Sequence, residues 1–193
     1  YRIVKVINTS TKILDTAQEL IQTRGYSAIS FQLIADQVGI RKPSVIHHFP
    51  SKASLGVAVI ARYRESFAIQ MRSIKADPEK TAWDALEFYF SPYLAFAETP
   101  NKVCLCGALA GEVLALPEEM HSEVKDFMES HQKWLEDIFR TGRKNGEFQF
   151  DETPLRLSKT FFSALQGALL IKRSTGDLSQ LKDVQKVIRR LLR

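Results

Sequence analysis

Apolar residues recur at three- and four-residue spacing along almost the whole chain, and strict alternation never outlasts Glu147-Phe148-Gln149-Phe150. The first rhythm lines one face of a helix, and the second would line one face of a strand. The chain is therefore expected to be all-α. Of its 193 residues 45% are apolar, enough for one or two cores. The longest uncharged apolar stretch, Val103 to Gly111, falls far short of the roughly 20 residues that a membrane-spanning helix needs. No membrane partner is expected. Asn8-Thr9-Ser10-Thr11 interrupts any leading apolar run, so no cleavable signal is expected, and the absent initiator Met suggests that the first few residues are missing. Cys104 and Cys106 are too few and too close for a disulfide framework, which makes a reducing cytoplasm the expected setting.

Punctuation by Gly, Pro and capping residues divides the periodic stretches into nine expected helices: 7–24, 31–38, 42–49, 51–75, 79–98, 101–116, 118–141, 153–174 and 178–192. Ile7, Leu14, Ala17 and Ile21 stripe the first, with Gly25 ending it. Ser30 is the expected N-cap of the second, and Ser51 of the fourth. Asp77-Pro78 marks the best boundary, giving a first unit over 1–50, a linking helix over 51–75 and a larger helical unit over 76–193.

Charge is unevenly placed. Residues 1–75 carry eleven Lys or Arg against four acids, net +7, whereas the remainder is net −2. A basic first third suits a polyanion partner, most often nucleic acid. Within it, helices 31–38 and 42–49 flank a turn at Gly39, and Ala35 is small enough for the two to cross closely. Val45, Ile46 and Phe49 are expected to face inward. Arg41, Lys42, Ser44, His47 and His48 then face outward, where they can reach phosphates or base edges in a major groove. On pattern alone, a helix-turn-helix and an ordinary helical hairpin with a solvated basic face both remain open.

The run Ser30-Phe31-Gln32-Leu33-Ile34-Ala35-Asp36-Gln37-Val38-Gly39-Ile40, continuing Arg41-Lys42-Pro43-Ser44-Val45-Ile46-His47-His48-Phe49-Pro50-Ser51-Lys52-Ala53-Ser54-Leu55, resembles the TetR family of transcriptional regulators. The motif covers about 50 N-terminal residues, and the rest agrees in layout. The resemblance implies a homodimeric repressor that binds a near-palindromic double-stranded operator and leaves it when a small apolar or aromatic effector fills a pocket in the body. Lys42, Pro43, Ser44, His47 and His48 fall on its recognition helix, Lys52 where a DNA phosphate is held, and Ser30 and Gln32 where the backbone is touched. Two departures stand out: Arg41 replaces a small N-cap residue, and Ile46 replaces a common tyrosine.

In the body, Trp83, Leu86, Phe88, Tyr89, Phe90, Tyr93, Leu94 and Phe96 make helix 79–98 apolar almost all round, so it is expected to be buried and kinked at Pro92. These aromatics either fill the core or wall a pocket, whose candidate lining is Phe67, Met71, Tyr89, Tyr93, Phe96, Phe127 and His131, between the linking helix and helices 79–98 and 118–141. His131 lies on an apolar stripe, which suits a hydrogen-bonded core residue or a ligand-orienting one; no second residue nearby makes it a metal ligand. Placed on one helix, Cys104 and Cys106 point about 200° apart and are expected to be inert, the alternative being a redox or electrophile sensor. Gly107 and Gly111 offer a close-packing face, and Glu112 either meets a ligand or faces water. Leu157, Phe161, Leu165, Ala168 and Leu169, with Leu181, Val184, Val187, Ile188 and Leu191, stripe 153–193 for a dimer interface.

No nucleophile elbow, P-loop or His-Glu-x-x-His motif occurs in the chain. An enzyme is not expected, and no cofactor is implied beyond an unidentified small-molecule effector. A helical interaction module without DNA binding is the remaining rival.

Overall fold

The computed structural model describes residues 8–193, so Ile7 of the expected first stripe lies outside the described residues. Among these the regular structure is nine α-helices and one 3-10 turn, with no strand: α1 Thr9–Arg24, α2 Phe31–Val38, α3 Lys42–His48, α4 Lys52–Ala76, α5 Ala82–Glu98, α6 Leu105–Ala110, α7 Glu118–Lys144, α8 Pro154–Thr175 and α9 Ser179–Leu191, the 3-10 turn being Val113–Ala115.

Local chemistry sets the boundaries. The Ser30 side chain accepts from Leu33 N–H at 3.1 Å to start α2, and Gly39 ends it in the left-handed region at φ 76°. Ser51 and Ser54 cap α4 reciprocally, as Thr81 and Asp84 cap α5. Pro92 leaves α5 continuous. It removes one backbone donor, but the Ser91 hydroxyl donates to the freed Phe88 carbonyl at 2.8 Å.

Helices α1, α2 and α3 close around Ile13, Ala17, Ile21, Ile34, Ala35 and Val45, all fully buried. From this tripod α4 runs into the body, burying Leu55, Val59 and Ile60 near its start and Phe67 and Met71 further on. There α7 is the central element, packed on α8, α4 and α5, while α9 packs on α8. Its buried stripe is Met120, Val124, Phe127, His131, Leu135 and Ile138, each large apolar member worth about 1.5–3 kcal/mol relative to exposure.

Four expectations are corrected. The helix expected over 101–116 shrinks to α6 and the 3-10 turn. Val103 is drawn onto α1 instead, donating to the Gln22 carbonyl at 3.1 Å and accepting from Gln22 Nε2 at 3.0 Å. Ile46, expected inward, is 41% exposed on the outer face of α3, because Val45 and Phe49 alone suffice to seat so short a helix. Helix α5 is not buried all round: Leu94 is exposed and Trp83, Phe88 and Phe96 are half-buried. Finally, the stripe Leu157, Phe161, Leu165, Ala168 and Leu169 turns into its own subunit. The apolar residues α8 and α9 leave exposed are Leu155, Leu170, Ile171, Val187 and Leu191.

Candidate nucleic-acid interface and effector chamber

Helix α3 is seated by one fully buried residue, Val45, and by Phe49 just beyond its end. Everything else on it points to solvent: Arg41, Lys42, Pro43, Ser44, Ile46, His47 and His48 are all exposed. Arg41 occupies the N-cap position without a side-chain cap bond, since a guanidinium has no acceptor to offer the helix amides. A shallow recess between α1 and α3 is lined by Thr9, Ile40, Pro43, Ser44, His47 and His48. Ser30 and Gln32 sit exposed at the head of α2, but both are engaged: Ser30 as the cap, and Gln32 Nε2 donating to Asp36 at 2.7 Å.

Lys52 does not project freely. Its ammonium stands 4.5 Å from the centroid of the Tyr26 ring, and it donates to the Ser27 carbonyl at 3.4 Å. Burial lowers the Lys52 pKa, while the Glu112 carboxylate pulls it upward. Glu112, expected to meet a ligand or water, is half-buried and engages the backbone of the first unit. It accepts from Tyr26 N–H at 2.9 Å and from Ser27 N–H at 2.8 Å.

Six of the seven candidate pocket residues belong to one buried cluster. Phe67, Met71, Tyr89, Tyr93, Phe127 and His131 are each less than a tenth exposed, whereas Phe96 is half-buried and makes none of the ring contacts. The His131 ring stacks on Phe67 at 4.1 Å and meets Phe127 edge-on at 4.7 Å. His131 Nδ1 lies 3.1 Å from the Tyr89 hydroxyl, which lies 3.3 Å from that of Tyr93. Gln166 Nε2 donates to Tyr93 at 3.1 Å and continues the chain of polar groups toward Cys104. His131 Nε2 and Gln166 Oε1 are buried without a protein partner. Burial lowers the His131 pKa to about 3, holding the ring neutral, and raises Tyr89 and Tyr93 well above the usual phenol. These three side chains are therefore uncharged.

Next to this cluster lies a cavity of about 230 Å³ between the end of α4, the start of α5 and α7. It is lined by Ile74, Lys75, Thr81, Ala82, Ala85, Trp134, Asp137, Ile138 and Thr141, none of them among the seven candidates. Trp134 touches both, lining the cavity and stacking on Tyr89 at 5.2 Å. Sequence reasoning missed Trp134 and Gln166. Their only available signal was proximity on their helices to His131 and to the Leu165 stripe.

The cysteines also depart from expectation. Cys104 precedes α6 in an extended conformation (φ −57°, ψ 142°), so the two side chains do not diverge around one helix. The neighbouring Cys106 thiol lowers the Cys104 pKa to about 7, helped by Gln166, while burial pushes Cys106 well up. Of the two small residues, Gly107 faces Gln166 closely; Gly111 faces only its own helix. Among the described residues, no three His, Cys, Asp or Glu are placed to hold a metal, and no helix is long and apolar enough to cross a membrane.

A capped two-helix reader with an exposed basic face, carried by one long helix into an all-helical body, defines a helix-turn-helix regulator of transcription. Residues 13–59 match the profile of bacterial regulatory proteins of the tetR family, and residues 82–188 match the tetracyclin repressor-like C-terminal domain. The chain belongs to the TetR family. It is similar to a TetR transcriptional regulator from Legionella pneumophila, with 32% identity, a TM-score of 0.90, and 98% of this chain and 100% of that one covered. The transcriptional regulator AcuR of Cereibacter sphaeroides is 27% identical over 79% of this chain and 70% of its own. The repressor NemR of Escherichia coli is 21% identical over 96% and 94%, and its reduced form superposes with a TM-score of 0.84, which speaks to the fold alone.

Proposed function

We propose that the chain acts as a homodimeric repressor that lays α3 in the major groove of a near-palindromic operator and is released by a small, uncharged, largely apolar or aromatic effector. The observation that carries the DNA reading is the outer face of α3, where Lys42, Ser44, His47 and His48, with Arg41 at the cap, stand exposed over a single buried anchor. Ser44 and His47 read base edges, with Lys42, Pro43 and His48 alongside. Arg41 and Lys52 hold phosphates, with Ser30 and Gln32 nearby. A twofold dimer requires two matching half-sites about 34–36 Å apart. Selection of bound duplexes from a random pool tests this. A palindromic consensus supports it, and binding without sequence preference removes it.

The effector reading rests on the cavity beside Trp134 and on the neutral cluster behind it. A ligand entering past Trp134 meets mostly apolar walls, with Lys75 and Asp137 of opposite charge among the cavity lining, and then the Tyr89 and Tyr93 hydroxyls and the open His131 Nε2. Crystals soaked with small aromatic alcohols and amides test the placement: density between α4, α5 and α7 supports it, and density elsewhere removes it.

A second reading is favoured by one observation, the Cys104 thiol held near pKa 7 beside Cys106. A lowered pKa raises the share of thiolate, whose sulfur attacks hydrogen peroxide, breaking the O–O bond to give the sulfenic acid and release hydroxide. Mass spectrometry after peroxide treatment tests it. An oxygen added at Cys104 together with operator release supports the sensor, and undiminished binding by fully modified protein removes it.

A further inference from the structure

We propose that Glu112 is a positioning residue for DNA binding: it clamps the turn between α1 and α2 and, through that turn, sets the side chain of Lys52. The inference rests on the reading that Lys52 holds a phosphate.

The turn peptide at Tyr26 and Ser27 is gripped from two sides. From the body, the Glu112 carboxylate takes both amide protons, one oxygen on each, at 2.9 and 2.8 Å. Hydrogen bonds to an ionised acceptor are roughly twice as strong as neutral ones. From the start of α4, the Lys52 ammonium lies over the Tyr26 ring and donates to the Ser27 carbonyl. The same two residues thus carry a carboxylate of the ligand domain on one side and the phosphate lysine on the other.

The approach is built into the backbone. Gly25 holds φ +92°, a conformation that L side chains rarely adopt, and a Cβ there would collide with the Glu112 carboxylate. A carboxylate near the C-terminal end of α1 meets the negative end of the helix dipole, which disfavours it. Neighbouring cations offset that cost: Lys52 is attracted to the Glu112 carboxylate, and Arg173 of α8 donates to the Thr23 carbonyl at 2.9 Å. The geometry therefore holds a charge where helix electrostatics alone would not place one.

Glu112 also stands where a body movement would reach the reader. It directly follows the short α6 segment, whose other end is tied to α1 by the paired bonds of Val103 with Gln22 and by the Lys102–Glu19 ion pair. On its inner side α6 packs Gly107 against Gln166, the end of the buried polar chain. Helix α6 is thus a strut between that chain and the α1–α2 turn. Displacing it pulls the carboxylate from Tyr26 and Ser27 and releases the turn that orients Lys52.

The test is a double-mutant cycle on the intact dimer. Its probe is a duplex selected from a random pool by the unmodified protein, with affinity measured across a salt series. Lys52→Ala is expected to weaken binding and flatten the salt slope by about one unit per subunit. Glu112→Ala is expected to weaken it about 10- to 100-fold with the same change of slope, the reach of one lost charge-assisted contact. The double variant is expected to bind no worse than Lys52→Ala alone, because interacting residues are not additive. Glu112→Gln keeps one acceptor and is expected to recover part of the loss; it carries the same comparison if the alanine variant fails to fold. Lys102→Ala, which breaks the ion pair at the same junction, is expected to leave the slope unchanged. Losses that multiply in the double variant, or an unchanged slope in both Glu112 variants, overturn the proposal while Lys52 keeps its role. An inert Lys52→Ala overturns the proposal and the phosphate reading together.

Discussion

His131 lies flat against Phe67, ring centroids 4.1 Å apart and planes 18° from parallel, while its Nδ1 faces the Tyr89 hydroxyl at 3.1 Å. One residue thus joins the linking helix α4, the aromatic helix α5 and the central helix α7. Stacking fixes the ring plane and the hydroxyl fixes its rotation, so the second nitrogen is aimed by packing on both sides. Neutral imidazole suits this place because a charged ring would be stranded among phenylalanines.

That arrangement gives stability a particular pH dependence. His131 titrates at about 3 in the fold and near 6.5 in the unfolded chain. Between those values the unfolded chain binds one more proton, so stability rises with pH. The contribution is fully present above pH 6.5 and is lost as pH falls toward 3, at up to about 1.4 kcal/mol per pH unit. Urea unfolding of the wild type and of His131→Phe at pH 7, 6 and 5 measures it. The wild type is expected to lose more stability on acidification than the variant, and parallel losses would assign the effect to other groups.

The outer face of α3 separates base reading from backbone holding. Ser44→Ala or His47→Ala is expected to change which operator is preferred, at about 1–3 kcal/mol for a lost specific contact. Arg41→Ala is expected to weaken binding to all duplexes alike and to flatten the salt slope. Repeating the selection with each variant reads this directly. An unchanged consensus for Ser44→Ala and His47→Ala would move both residues to the backbone.

A dimer through α8 and α9 must use the apolar residues that the subunit leaves exposed, namely Leu155, Leu170, Ile171, Val187 and Leu191. Val187 is 53% exposed and lines a groove between the two helices. Val187→Glu places a charge there that a dimer would have to bury, at a cost of several kcal/mol per ion. Light scattering is expected to show a monomer, whereas Leu157→Ala, facing inward, is expected to lower stability and leave the dimer intact. A dimer that survives Val187→Glu would place the interface on another face.

How far the fold was legible follows from range. Ser30, Gly39, Ser51 and Thr153 act on neighbours within three or four residues, so α2, α4 and α8 were readable to within a residue or two. The segment around Cys104 was not, because Val103 is held by Gln22, 81 residues away, and no local pattern records that pairing. The backbone contacts of Glu112 were hidden for the same reason: its partners Tyr26 and Ser27 lie 86 and 85 residues back. Periodicity showed that Leu157 and Phe161 face something apolar, but it cannot distinguish a subunit's own core from a partner.

The last prediction concerns Trp134, which closes the cavity of about 230 Å³ on one side and stacks on Tyr89 on the other. The residue is half-buried, so its removal joins cavity and cluster without exposing the deepest core. Trp134→Ala is expected to cost about 3 kcal/mol or more of stability, toward the low end for a large aromatic since part of the ring already meets solvent. It is also expected to bind small aromatics such as indole, which replace the lost ring, and each bound molecule stabilises the form that holds it. Thermal unfolding with increasing indole measures both effects. A rise in midpoint for Trp134→Ala well beyond that of the wild type places the chamber behind Trp134. If that chamber also governs the reader, indole changes operator affinity in the variant by its differential affinity for the two forms, and by no more. An equal rise in midpoint in both proteins at saturating indole would show that the space behind Trp134 collapses, and would move the effector site elsewhere in the body.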